Sequence, residues 1–220
     1  MFIGHYGVAF AIKSADRRVS LWQLFLAVQF LDVLWGPLVL LGIEKVRIAP
    51  GITASLPLDL YYMPYTHSLV GALAWSGLVV LGYKIAPGGA TSRALRSALL
   101  VGLAVFSHWI LDLLVHRPDL PLYDNTHKMG LGLWNYPVFA FVLEAALLFG
   151  GMWLYLRSTA GASLGGRFGM PLFGLVLLVV QAVAFFGLPP RSPAAAAITF
   201  LSLYVVMTGA AFWLEKKRSG

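Results

Sequence analysis

Six apolar stretches of about 20 residues each, at roughly 20–42, 68–86, 95–115, 136–156, 170–189 and 194–214, limit what this chain can fold into. A helix needs ~20 such residues to cross the hydrocarbon core, where helices and closed barrels alone satisfy their own backbone. The expected fold is all-α, a polytopic transmembrane helical bundle of about six spans forming one integral membrane domain over residues 1–220. A hydrophobic content of 59% with only 11% charge agrees with the bilayer as solvent. Residues 2–12 form a seventh apolar piece, too short to cross, and read as a half-helix or a wedge among the others. The opening Met1-Phe2-Ile3-Gly4-His5 lacks the charged start of a signal peptide, so the N-terminus is expected to be retained.

The net charge of +7 invites a nucleic-acid partner, but Lys and Arg sit in short loops between spans rather than in a block. No nucleic-acid partner is expected. Eleven basic residues fall at 13–18, 84–96, 157–167 and the C-terminus, against Lys45, Arg47, Arg117, Lys128 and Arg191 in the opposite loops. This bias places the C-terminus in the cytoplasm and the 43–67 and 116–135 loops outside, with a bacterial inner membrane as the expected location. Pro87-Gly88-Gly89, the glycines of 161–169 and Pro189-Pro190 mark loops between helices. Residues 1–135 carry the interesting polar groups, and 136–220 read as scaffold helices.

With no cysteine, any metal must be held by imidazole and carboxylate. His108, Asp112 and His116 recur every four residues, which puts them on one face of a helix. A carboxylate near mid-membrane costs ~2.5–3.5 kcal/mol and calls for a partner. Asp32 has the same need, and Pro37 one turn on is expected to kink its helix there. His67 opens the second span beside Thr66 and Ser68, either of which suits a helix cap. Each group alone also has a plainer reading: a His–Asp bond between helices, a protonated Asp, or a histidine in an aromatic belt.

Depth favours a common site. At 1.5 Å per residue, Asp32 lies roughly 21 Å above Arg18, His108 and Asp112 roughly 18 and 24 Å above Arg96, and His67 roughly 25 Å above Lys84. His5 comes lower, roughly 12 Å above Lys13, and Glu144, the lone acid of the fourth span, roughly 20 Å above Arg157. His127, in the outer loop with Asp119, reads as a solvated residue.

His5, Asp32, Thr66-His67-Ser68 and His108-x-x-x-Asp112 occur in an order that resembles the membrane-bound metal-dependent hydrolases, a family described as LexA-binding and inner-membrane-associated. The resemblance covers about residues 1–120. The chain is also similar, more distantly, to the zinc-dependent phospholipase C and single-strand nuclease group. It departs from the family in having Tyr62-Met63-Pro64-Tyr65 where His-Arg-Gly usually precedes Thr-His-Ser, Val33-Leu34 after Asp32, and His116 where Thr is usual. The resemblance implies a metal site and hydrolysis.

The expected function is a membrane-embedded hydrolase of an ester or phosphoester, with a lipid as a natural substrate. His5, Asp32, His67, His108 and Asp112 would hold a divalent metal, zinc by ligand type, and His116 or Glu144 would act as acid or base. The alternative is an ion- or proton-coupled transporter using the same cluster, although no internal repeat is visible.

Overall fold

The computed structural model describes residues 1–86 and 92–219, so the Pro87-Gly88-Gly89 break lies outside the described residues. Its helices are α1 (Ile3–Ala15), α2 (Leu21–Val28), α3 (Phe30–Leu40), α4 (Leu69–Ile85), α5 (Ser92–Val115), α6 (Pro137–Ser158), α7 (Leu164–Phe186) and α8 (Pro193–Glu215). Four of them, α5 to α8, are long and apolar enough to cross a membrane, and α2 with α3 makes a fifth if the bent pair is one span. The expected second span, α4, is a shorter apolar helix of 17 residues. The mostly helical membrane fold stands, with four or five spans by length and composition among the described residues, so the expected six are not all found.

The wedge is α1, and it is the centre of the bundle. Nine of its 13 residues are buried, including both glycines, because it is largely apolar and packs against α2, α5, α6 and α7. Its closest neighbour is α6, where Gly7 faces the Leu147 carbonyl and Gly151 faces the Gly7 carbonyl so closely that a Cβ at either would collide with backbone. Small residues let two helix backbones touch in this way. Gly151→Val is therefore expected to lower stability by at least the roughly 1–3 kcal/mol of an overpacked core. Gly150→Ala, which meets nothing within 4 Å, is expected to be neutral. Thermal unfolding in detergent compares them, and equal midpoints would contradict the packing argument.

Both ends of α1 are fixed by charge. At its start Glu144 accepts from the amides of Phe2 (2.8 Å) and Gly4 (3.2 Å), donors that a helix leaves unpaired. At its end Lys13 pairs with Glu215 at 2.6 Å and donates to the carbonyls of Arg17 and Val19. Next to it, hydrogen bonds from Arg18 hold the Asp16 carboxyl down to about 2 from the ordinary 3.8. A depressed carboxyl stabilises the fold fully above about pH 4 and stops doing so as the pH falls towards 2. Asp16→Asn should flatten the acid limb of the stability profile over that window, and an unchanged limb would argue against it.

The first span breaks at Gln29, with 53° between α2 and α3, and not at Pro37, through which α3 continues. The reason lies in the hydrogen bonds. The Val28 carbonyl, whose helical partner would be the Asp32 amide, accepts from His108 Nδ1 at 2.7 Å, and Gln29 Nε2 donates to the Phe2 carbonyl.

The loop expected at 43–67 contains an antiparallel hairpin, β1 (Lys45–Ile48) and β2 (Leu58–Tyr62), in which Arg47 faces Asp59 and Ile48 faces Leu58. Val46, Leu58 and Leu60 turn inward and form a second apolar cluster with Met1, Trp35, Met63, Trp134 and Phe185. Asp59 binds both Arg47 and Arg117, tying the hairpin to the segment after α5.

Candidate metal centre

Each polar side chain of the centre is aimed by a local device. His5 lies one turn into α1 and is fully buried, and its ring stacks on His108 at 4.0 Å with 4° between the planes. The break at Gln29 turns Asp32 inward on the first turn of α3, where Tyr204 of α8 donates to its Oδ2 at 2.6 Å. Ser68, not Thr66, caps α4 by accepting from the Gly71 amide, which leaves His67 just ahead of the helix. Trp109 donates to the His67 carbonyl at 2.9 Å. His108 and Asp112 share one face of α5, and His116 follows directly after it. Its carbonyl is pinned by the Gly132 amide at 2.6 Å, and Gly132 adopts φ +73, a left-handed conformation that glycine adopts freely.

The structure thus brings His5, Asp32, His67, His108, Asp112 and His116 together. His5 Nε2 is 3.2 Å from Asp112 Oδ1, and His108 Nε2 is 3.2 Å from Asp112 Oδ2. His67 Nε2 is 3.3 Å from Asp32 Oδ1 and 3.8 Å from Asp112 Oδ2. His116 Nε2 is 3.4 Å from Asp112 Oδ2, and His108 Nε2 is 3.8 Å from Asp32 Oδ1. The Met1 ammonium donates to Asp112 Oδ1 at 2.5 Å, an ion pair that already supplies one positive charge at the edge of the cluster. Two sets, His5 with His108 and Asp112, and Asp32 with His67 and His108, could each hold a metal ion, with ligand atoms within 4.8 Å of one another.

The far sides of three rings fix their protons. His108 Nδ1 faces the Val28 carbonyl, which can only accept, so that nitrogen carries hydrogen. His116 Nδ1 lies 2.8 Å from Asp119, itself held by Arg117, and it too donates. His67 Nδ1 meets the Thr66 hydroxyl at 2.7 Å, and that hydroxyl spends its one hydrogen on Glu44 Oε2 at 2.6 Å, so His67 Nδ1 is again the donor. In the neutral tautomers this leaves three Nε2 lone pairs facing carboxylate oxygens. Lone pairs repel unless a cation or protons lie among them. The Nε2 atoms of His5 and His108 are buried without a hydrogen-bond partner, as befits groups aimed at something other than each other.

The spacing fits a metal. Two ligand atoms ~2.0–2.1 Å from a tetrahedral ion stand ~3.3–3.4 Å apart. The closest Nε2–carboxylate pairs here, at 3.2 to 3.4 Å, bracket that value. Partners that hold the outer nitrogen of a ligating imidazole are the usual company of such sites.

Glu144 takes a different place from the histidines. Its Oε2 accepts the two α1 amides and its Oε1 accepts from Gln181 at 3.0 Å, so it is committed to holding α1. His127 is exposed in the loop between α5 and α6 at φ +49. Lys128 beside it donates to the Tyr61 carbonyl, and burial lowers its ammonium below the ordinary value.

Two members were missed in the sequence. Glu44 is buried behind His67, where it accepts from the amides of Tyr65 and Thr66 as well as from the Thr66 hydroxyl. Tyr204 comes from the half read as scaffold. A loop glutamate and an aromatic in an apolar helix carry no signal that sets them apart.

Beside the centre is a small cavity of about 70 Å³, lined by Asp32, His67, Asp112, His116, Glu144, Gln181 and Tyr204 and by apolar side chains of α3, β2, α7 and α8. It holds a few waters at most. Comparison with family models, with curated proteins and with solved structures finds no match.

Proposed function

We propose that the chain is a membrane-embedded, metal-dependent hydrolase of an ester or phosphoester, and that the centre holds a divalent ion, zinc by ligand type. The observation that carries this reading is the convergence of the His5, His67 and His108 imidazoles and the Asp32 and Asp112 carboxylates at tetrahedral-edge spacing. His5, Asp32, His67, His108 and Asp112 are the ligand candidates. When bound, such an ion lowers the pKa of water towards ~7 and polarises an ester oxygen.

The residues supply the rest. Asp32 is oriented by Tyr204, and His67 by the Thr66–Glu44 pair. His116 lines the cavity with Nδ1 on Asp119, which suits it to take a proton from attacking water and return it to the leaving alkoxide as the ester bond breaks. Glu144 serves as a positioning residue for α1. The motif order supports membership of the membrane-bound metal-dependent hydrolases, and the Lys and Arg bias supports a cytoplasmic C-terminus in a bacterial inner membrane.

The test uses purified full-length protein in detergent with a panel of phospholipids and soluble phosphoesters. Hydrolysis abolished by a chelator and restored by zinc is expected. Bound metal with no hydrolysis of any substrate, together with metal flux into proteoliposomes, would replace this reading with transport.

A further inference from the structure

A second, far larger cavity of about 630 Å³ lies between the last turns of α7 and the first turns of α8 and is also lined by residues 50–58 ahead of and entering β2. Its walls are mainly apolar, with Val180 of α7 and Leu203 of α8 among them and Thr53, Ser55 and Thr199 as the polar members. It abuts the metal centre across a single layer of side chains. Leu56, Leu58, Ala184, Phe185 and Phe200 line both this cavity and the small one holding Asp32, His67, Asp112 and His116.

We propose that this α7–α8 groove binds an acyl chain of a membrane phospholipid and delivers its ester head group to the His/Asp centre; the inference rests on the hydrolase reading and names its substrate class. Three features favour this occupant. The flanking side chains Val179 and Val183 are exposed on a helix apolar enough to span, so the groove is bounded by residues that meet lipid. The groove covers about seven residues of each helix, roughly 10 Å of depth from the end that carries the hairpin, which suits a chain lying along the bilayer normal. The inner end supplies what an ester head needs: Trp35 lines the small cavity, is 3% exposed, and has its indole N–H buried without a partner. Such a donor is costly to bury unless a ligand oxygen satisfies it.

The test is photolabelling of the full-length protein in phosphatidylcholine vesicles, with two phosphatidylcholine probes carrying a diazirine near the head group or at the chain end. The expected result is head-proximal labelling at Trp35 and chain-end labelling at Val180 and Leu203. Thr199→Trp, placed to fill the groove, should cut the chain-end labelling about tenfold while the metal content of the protein is unchanged. Labelling spread over the lipid-facing sides of α4 and α6, or unaltered by Thr199→Trp, overturns the proposal, as does displacement by a polyprenyl phosphate that excess phosphatidylcholine cannot match. Because labelling needs no turnover, groove labelling without hydrolysis would sink the hydrolase reading alone, and hydrolysis with labelling elsewhere would sink the groove alone.

Discussion

Asp112→Ala protein is expected to purify with little or no zinc, its affinity reduced by more than the ~10–100-fold that loss of a mere supporting partner costs. Asp112 is the hub of the centre. Its two oxygens face the Nε2 atoms of all four buried histidines and the Met1 nitrogen, at 2.5 to 3.8 Å. Removing it takes away a ligand and also the negative charge that makes the cluster attractive to a cation. His108→Ala should act similarly, since His108 belongs to both candidate ligand sets. Elemental analysis of each variant against wild type reads the effect. Circular dichroism separates loss of the site from loss of the fold.

The second large effect is expected from Glu44, which touches no candidate ligand atom directly. Its carboxylate accepts from two backbone amides and from the Thr66 hydroxyl, and that hydroxyl is thereby left to accept from His67 Nδ1. Glu44→Ala frees the Thr66 hydrogen to compete for His67 Nδ1. The ring can then present its other tautomer, with a hydrogen on Nε2 facing the centre. Metal affinity is expected to fall ~10–100-fold. Thr66→Val cuts the same chain one link further in, so the double variant should be no worse than the more damaging single one. Zinc titrations of the four proteins test this, and additive losses would show that Glu44 acts through some other contact.

The centre was legible in the sequence because an intramembrane His or Asp stands out against its apolar span. Matching heights along independent helices then tied Asp32, His67, His108 and Asp112 together, and the coordinates place all four within contact distance. His5 comes lower by depth because its reference, Lys13, turns its ammonium inward onto Glu215 and the Arg17 and Val19 carbonyls. The helix break was expected at Pro37 because proline removes a hydrogen bond. It falls at Gln29 because a histidine 80 residues away takes the Val28 carbonyl, a competition that no local pattern reveals.

The hairpin escaped for a related reason. Lys45–Ile48 and Leu58–Tyr62 are only four and five residues long, and their inward side chains are fixed by packing on Trp35, Met63 and Trp134 rather than by their own propensity. Span counting had a similar limit, since α4 and the bent α2–α3 pair are apolar yet too short or too broken to qualify alone.

A crystal of the full-length protein grown with zinc, measured on both sides of the zinc absorption edge, tests the account at its root. An anomalous peak within ~2.0–2.2 Å of Nε2 of His67 or His108 and of an oxygen of Asp32 or Asp112 is the predicted result. No peak there, with ordered water bridging the same nitrogens and carboxylates, would mean that protons alone reconcile the cluster and that the centre is not a metal site.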